Sequence, residues 1–364
     1  MAYTTIDDPS AYFNSLIYTG NVTVRALTFD GNSDLAVDWI WLKSRSISGN
    51  HHLYDSVRGT QKHLRSNLDS AEGTNGGTDG VTAFSSNGVT IGTNTASNED
   101  NTTFVGWGWK AGTSFSNDAS STSVGSLDSA GSVSTDAGFS IISYTGAGDG
   151  QASSTQTVAH GLGVVPQVLI VKNLADATNW FVYHHKNTSA PATDVLYLNL
   201  TNATGDDNGP WNDVAPTSSV FTVGGDNGTN GNGDGMIAYC FAEKQGYSKF
   251  SSYTGNGNAD GTFVYTGFKP AFFMIKRTTG SGYDWLMYDN KRQVSFNVVD
   301  DFLLADSNAV ETTGNGNQSL DFLSNGVKHR GNGASSNGSG VVYIYMAFAK
   351  NPFTTSTGIP ATTR

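Results

Sequence analysis

The sequence is short of several things. One cysteine, Cys240, stands among 364 residues, so an internal disulfide and a thiolate zinc site are excluded. Charged residues make up 14% of the chain, against about 25% in an average globular protein. Only 20 residues are Lys or Arg, too few to form a stripe that neutralises phosphates, which argues against nucleic-acid binding. No apolar run approaches the ~18 residues of a membrane-spanning helix. The opening Met1-Ala2-Tyr3-Thr4-Thr5-Ile6-Asp7-Asp8 lacks the basic and apolar regions of a secretion signal, so the expectation is a protein made in a cytoplasm, without membrane insertion. Helical periodicity is scarce, and 57–68 is the best stretch for a turn or two. Catalytic signatures are missing too: there is no Gly-x-Ser-x-Gly elbow, metal-protease motif or phosphate cradle.

What the chain does contain is glycine (44 residues) and aromatics (11%), with a net charge of −11 that is too small to keep it expanded. It also contains a pattern that recurs. Tyr18-Thr19-Gly20-Asn21 returns as Tyr144-Thr145-Gly146-Ala147 and as Tyr253-Thr254-Gly255-Asn256. An apolar run ending in lysine follows each: Trp39-Ile40-Trp41-Leu42-Lys43, Val168-Leu169-Ile170-Val171-Lys172 and Phe272-Phe273-Met274-Ile275-Lys276. Next come tyrosine-bearing segments, His52-Leu53-Tyr54-Asp55, Trp180-Phe181-Val182-Tyr183 and Trp285-Leu286-Met287-Tyr288-Asp289. Each copy closes on alternating small and aromatic residues, as in Val105-Gly106-Trp107-Gly108-Trp109, Ile237-Ala238-Tyr239-Cys240-Phe241 and Ile344-Tyr345-Met346-Ala347-Phe348. Four landmarks in one order, three times, indicate a tandem array of one module.

Every landmark reads as strand: short, aromatic or β-branched, and bounded by Gly, Asn, Asp and Pro. In Trp107-Gly108-Trp109 the period of two places both indoles on one face and leaves the other nearly bare, which suits close approach of a second layer. The continuous runs, such as Val168 to Val171, read as central strands covered on both faces. The expected fold is all-β, with three tandem antiparallel β-sandwich modules of jelly-roll or concanavalin-like type. The boundaries are 1–112, 138–245 and 246–353, with a flexible Ser/Gly-rich linker over 113–137 and a C-terminal tail over 354–364. Only Gln245-Gly246-Tyr247-Ser248 separates copies two and three, so these two read as a rigid pair with the first more loosely attached.

Candidate functional residues are few. The pairs His51-His52 and His184-His185 read as strand-end surface residues, because neighbours on a strand diverge and cannot share a metal. His160, in His160-Gly161-Leu162-Gly163, reads as bonded to a turn. The tract 224–235 alternates Asp and Asn with Gly. It favours a ligand-free hairpin connection and leaves calcium binding open, since it lacks the closing bidentate Glu of an EF-hand. Asp55 with Glu72, and Asp300 with Asp301, are carboxylate pairs without a glycosidase framing. No catalytic, cofactor or metal residue emerges, and the expectation is a non-enzyme. Six tryptophans, Trp39, Trp41, Trp107, Trp109, Trp180 and Trp285, belong to the repeated landmarks, where packing is their default use. Trp211 lies outside them, in Asn208-Gly209-Pro210-Trp211-Asn212-Asp213, and is the candidate for a ligand or partner contact.

Several stretches carry a resemblance: Thr5-Ile6-Asp7-Asp8-Pro9-Ser10-Ala11-Tyr12-Phe13, His52-Leu53-Tyr54-Asp55-Ser56-Val57-Arg58-Gly59, and Ala347-Phe348-Ala349-Lys350-Asn351-Pro352-Phe353. With His160-Gly161-Leu162-Gly163 and Tyr253 to Gly261, the chain resembles phage tail and tail-fibre-type virion proteins, mainly of marine phages, that carry an uncharacterised lectin-like β module in tandem. Lys350 stands where a glutamate is expected, and copy one is padded with Gly and Asn after Asn21. The resemblance implies a virion location, other virion proteins and host-surface carbohydrate as partners, and a homo-oligomer, with a trimer as the usual state of fibres. Three modules in one chain mimicking threefold packing as a monomer is the alternative. A capsid decoration or head-fibre protein and a glycan depolymerase are the competing functions.

Overall fold

The computed structural model describes residues 3–151, 155–293 and 297–362. Strands dominate it, and its α-helices are single turns (Thr95–Asn98, Ala119–Thr122, Asn227–Asn230). All ladders between named strands are antiparallel.

Three main sheets share one strand order. In the first, Phe13–Thr19 lies beside Thr103–Trp109, then Trp39–Ser44, then His52–Asp55. The second repeats this with Phe139–Thr145, Gly235–Phe241, Val168–Asn173 and Phe181–His184, and the third with Ser248–Thr254, Val342–Pro352, Phe268–Arg277 and Leu286–Asp289. Registers coincide as well. Trp41 pairs with Trp107, Ile170 with Tyr239, and Met274 with Met346. Each main sheet is accompanied by a small one: Arg25–Leu27 with Gly88–Ile91 and Val81–Ser85, Gln156–Ala159 with Val220–Val223, and Phe263–Tyr265 with Gly326–His329 and Leu320–Leu323.

The period of two in each lysine-ended run decides where its side chains go. Ile40 and Leu42 face inward within copy one, packing with Leu27, Val81 and Val89 of the small sheet. Leu169 and Val171 do the same in copy two, and Phe273 and Ile275 in copy three. The alternate residues, Trp39 and Trp41, Val168 and Ile170, Phe272 and Met274, enter a single cluster shared by all three copies. There Trp39 stacks on Tyr239 at 4.5 Å and Phe13 on Phe348 at 5.2 Å, across copy boundaries. The six repeated tryptophans all lie in this central cluster. They pack, as their strands suggested, but between copies. The bare face of Trp107-Gly108-Trp109 is used as expected: a Cβ on Gly108 would meet Phe29 and Val37 at 2.6 Å.

The shared centre corrects the notion of a loosely attached first copy, because its aromatics are buried as fully as those of copies two and three. The segment 113–137 is also not a flexible linker. Thr113–Asn117 pairs with Ser129–Ser134, which pairs with Phe139–Thr145, extending the second sheet by two strands. Their Ser/Gly composition hid them, since an edge strand is held by backbone bonds whatever its side chains. The stretch 57–68 holds a turn and the two-residue strand Lys62–His63 rather than helix. In the tail, Ser356 donates its backbone N–H to Asp7 at 2.6 Å, which ties 354–362 to the N-terminal segment.

Each Tyr-Thr-Gly landmark closes on a buried asparagine. Tyr18, Tyr144 and Tyr253 donate their hydroxyls to the carbonyls of Ser97, Thr229 and Ser336. The next residues, Asn98, Asn230 and Asn337, accept through Oδ1 from the N–H groups of Asn21, Ala147 and Asn256. The glycine is required by this close approach: a Cβ on Gly20, Gly146 or Gly255 would lie 2.0, 2.2 or 2.4 Å from a backbone oxygen.

Candidate functional site

A repeated set of polar contacts lies at the seams between copies. The residue two beyond each repeated lysine accepts a backbone bond from another copy: Glu72 N–H to Leu174 O at 3.0 Å, Thr204 N–H to Thr278 O at 3.0 Å, and Glu311 N–H to Arg45 O at 2.9 Å. Side chains just before the fourth main-sheet strand repeat the motif. Trp180 Nε1 donates to Arg65 O at 2.9 Å, Trp285 Nε1 to Tyr197 O at 2.9 Å, and His51 Nε2 lies 2.8 Å from Leu304 O. Copy two thus reaches copy one, three reaches two, and one reaches three. The head-to-tail contacts close into a ring, as heterologous interfaces do when their rotation closes.

The three run-ending lysines lie in these seams. Lys43 Nζ donates to Ser44 O at 2.7 Å and Ala309 O at 2.9 Å, Lys172 Nζ to Asn173 O at 2.9 Å and Asp176 O at 3.2 Å, and Lys276 Nζ to Leu200 O at 3.2 Å and Tyr283 O at 2.5 Å. Burial pushes all three ammonium groups down to about 8. Carbonyl partners keep them satisfied, so they act as braces.

Asp55 and Glu72 do come together, through a residue between them. Arg58 Nε meets Asp55 Oδ2 at 2.5 Å and its Nη1 meets Glu72 Oε1 at 3.2 Å, while Tyr239 of copy two donates to Asp55 at 2.7 Å. Copy three repeats this: Arg292 meets Asp289 at 2.5 Å and Glu311 at 2.7 Å, and Trp107 of copy one donates to Asp289 at 2.9 Å. Burial opposes the charge on both guanidiniums, but the neighbouring carboxylates outweigh it and raise their pKa. These carboxylates are engaged by cations and aromatic donors, as a structural ion pair requires.

The histidine pairs are not surface residues. His51, His52 and His184 are buried and His185 is half-buried. Each pair diverges as its strand position dictates: His51 accepts from Trp41 Nε1 at 2.7 Å, while His52 lies against His63 with rings 5.1 Å apart. Burial, with help from neighbouring positive groups, pushes His51, His52 and His184 down to about 3. His160 bonds its turn, accepting from Leu162 N–H at 3.2 Å with Nε2 3.1 Å from Thr217 O.

Trp211 is the clearest correction. It is 1% exposed and packs edge-on against Tyr183 at 6.1 Å within the copy-two core, so its indole face meets no ligand or partner. Its loop folds inward because Gly224 N–H binds Pro210 O and Thr229 Oγ1 reaches the same carbonyl. In 224–235 the acidic groups serve the loop itself. Asp226 caps the turn Asn227–Asn230 by accepting from Gly228 N–H at 2.7 Å, and Asp234 accepts from Asn173 Nδ2 at 2.8 Å. Among the described residues no group of three His, Cys, Asp or Glu is placed to hold a metal. Asp301 binds Gly314 N–H and Asp300 binds Gln293, so that pair is also divided.

One feature escaped the sequence. On the register that pairs Leu53 with Leu64, Val182 with Leu196 and Met287 with Leu303, the next positions outward are His52 and Arg65, Phe181 and Tyr197, and Leu286 and Leu304. Copies two and three fill this place with apolar contacts, Phe181 meeting Tyr197 edge-on at 5.2 Å. In copy one it borders a cavity of about 220 Å³, lined also by Ser44, Asn50, Thr95 and Glu99. His52 Nδ1 and Arg65 Nε are buried there without a hydrogen-bond partner among the described residues. Only a position-by-position comparison of the copies would have found this, and it needs the register.

The architecture defines an all-β protein in which three sheets of one order enclose a common core. A family model described as a domain of unknown function, DUF7483, matches residues 8–352, and the chain belongs to that family. The match spans all three copies. No curated protein matches the chain.

Proposed function

We propose that this protein is a non-enzymatic structural and adhesion component of a bacteriophage particle, in the tail or tail fibre, that presents polar loops to host-surface glycans. The observation that carries the reading is the closed ring. Three copies of one β unit bury their aromatics against one another and leave Asn-, Gly- and Ser-rich loops such as 256–260 exposed. Buried ion pairs and lysines bonded to carbonyls support a structural rather than a catalytic use of its polar residues. In finer terms, we read each copy as an antiparallel β-sandwich of jelly-roll or concanavalin-like type, its main and small sheets forming the two layers. The ring supplies within one chain the three-sided packing that fibres obtain from three. A homo-oligomer, a trimer by analogy with fibres, in contact with other virion proteins belongs to this reading.

Proteomics of purified particles tests the proposal. The chain is expected in virions at a copy number typical of tail components. Its absence from particles refutes the reading, and an abundance approaching that of the major capsid protein moves it to a capsid decoration. Release of reducing ends from host polysaccharide by the purified chain would instead support a depolymerase.

A further inference from the structure

The cavity of copy one has two internal controls. Copies two and three show that this backbone needs no polar group at the His52 and Arg65 positions, because Phe181 with Tyr197 and Leu286 with Leu304 close the same place. Copy one spends a guanidinium and an imidazole there instead. A buried donor or acceptor left unpaired is destabilising, and His52 is 6% exposed. His63, also buried, packs against His52 with the rings 5.1 Å apart. Beside a cavity, such a cluster offers hydrogen-bonding groups to whatever enters it.

The charges say what. Arg65 makes no ion pair among the described residues, and the two imidazoles beside it are neutral because burial holds them to about 3 and about 4. The cluster therefore repels a cation and attracts an anion. A planar guanidinium matches a carboxylate at two points. Glu99, in the same cavity, accepts hydroxyl protons and disfavours a dianion. A monoanion that carries both a carboxylate and hydroxyl donors fits best, and the cavity has room for one such ring.

We infer that the cavity between His52, Arg65 and the turn Thr95–Asn98 is a binding site for a carboxylate-bearing sugar, with Arg65 taking the carboxylate and His52 a neighbouring hydroxyl. The sugar assignment rests on the adhesion reading; the anion site does not.

Calorimetric titration of the full chain with glucuronate, glucose and inorganic sulfate tests it. Glucuronate is expected to bind saturably, and glucose at least tenfold more weakly. Arg65→Lys is expected to weaken glucuronate at least tenfold, because an ammonium loses the two-point contact. The pair His52→Phe with Arg65→Tyr, which installs the copy-two residues, is expected to abolish binding with thermal stability kept or raised. If that pair fails to fold, Glu99→Gln serves: it is expected to raise sulfate affinity and lower the preference for glucuronate. No saturable glucuronate binding, or binding unaltered in Arg65→Lys, overturns the site. Sulfate bound by the unaltered chain as tightly as glucuronate overturns the sugar assignment alone. Glucuronate binding by a chain absent from virions would sink the adhesion reading and leave this site standing.

Discussion

Two seams of the ring hold a buried Asp–Arg–Glu cluster, and the third has uncharged side chains in those three places. Copies one and three carry Asp-x-x-Arg, Asp55 with Arg58 and Asp289 with Arg292, backed by Glu72 and Glu311. Copy two has His184 and Asn187 in these places and Thr204 for the glutamate, with Thr204 Oγ1 donating to Asn187 at 2.6 Å. The facing residue changes in step. Tyr239 and Trp107 donate to the two aspartates, whereas Met346 occupies their position opposite His184, whose Nε2 lies 3.2 Å from Tyr345 O. One backbone geometry therefore tolerates a charged or a neutral solution, provided both sides change together. A buried ion pair needs every member satisfied, and a half-replaced one is worse than none.

The sharpest way to break this comparison is to remove one cation. Arg292→Met leaves Asp289 and Glu311 buried without their partner and is expected to cost about 3–5 kcal/mol by chemical denaturation. Asn187→Leu, at the equivalent place, removes only a neutral partner of Thr204 and is expected to cost about 1–2 kcal/mol. Equal losses at the two sites would show that the seams do not differ in kind.

A smaller effect separates the facing residues. In a double-mutant cycle, Tyr239→Phe and Asp55→Asn are expected to couple by roughly 0.5–3 kcal/mol, since the first removes the donor and the second the charge of its acceptor. Met346→Leu with His184→Gln is expected to couple by less than about 0.5 kcal/mol. A reversed order of the two couplings would sink the idea that donor and aspartate are matched.

The seam of His184 has its own signature in pH. Burial lowers the pKa of His184 to about 3, below the ~6.5 of an unfolded histidine, so the unfolded chain binds the extra proton. Its contribution is complete above about pH 6.5 and fades as pH falls toward 3. His184→Gln should flatten the stability profile there by up to about 1.4 kcal/mol per pH unit. A profile with the same slope in the variant would mean that His184 takes up its proton within the fold. Least of all, Thr204→Val is expected to cost about 0.5–1.5 kcal/mol through the lost bond to Asn187.

Much of the fold was legible. The recurrence of Tyr-Thr-Gly, of the lysine-ended run and of the closing aromatic strand identified three like units, because those residues serve local needs: a close backbone approach, a brace for carbonyls, a face for packing. Asp55 and Glu72 stood out as a pair, and the structure brings them together, yet around Arg58 and out of water. The strands in 113–137 were missed because edge pairing needs little apolar content. Trp211 was misjudged because a loop outside the repeat reads as exposed, while Pro210 and Thr229 fold it into the copy-two core. The His52–Arg65 cavity was invisible because its meaning lies in a contrast with Phe181–Tyr197 and Leu286–Leu304, which share no motif with it.

The sequence alone determined the strands, their threefold recurrence and which residues of each run alternate, since periodicity and turn chemistry act over a few neighbours. Only the tertiary structure decided that the outward faces of the three main sheets meet in one core and that the chain closes into a ring. Those choices depend on surfaces brought together from more than a hundred residues apart. No local pattern records which partner a buried face will find.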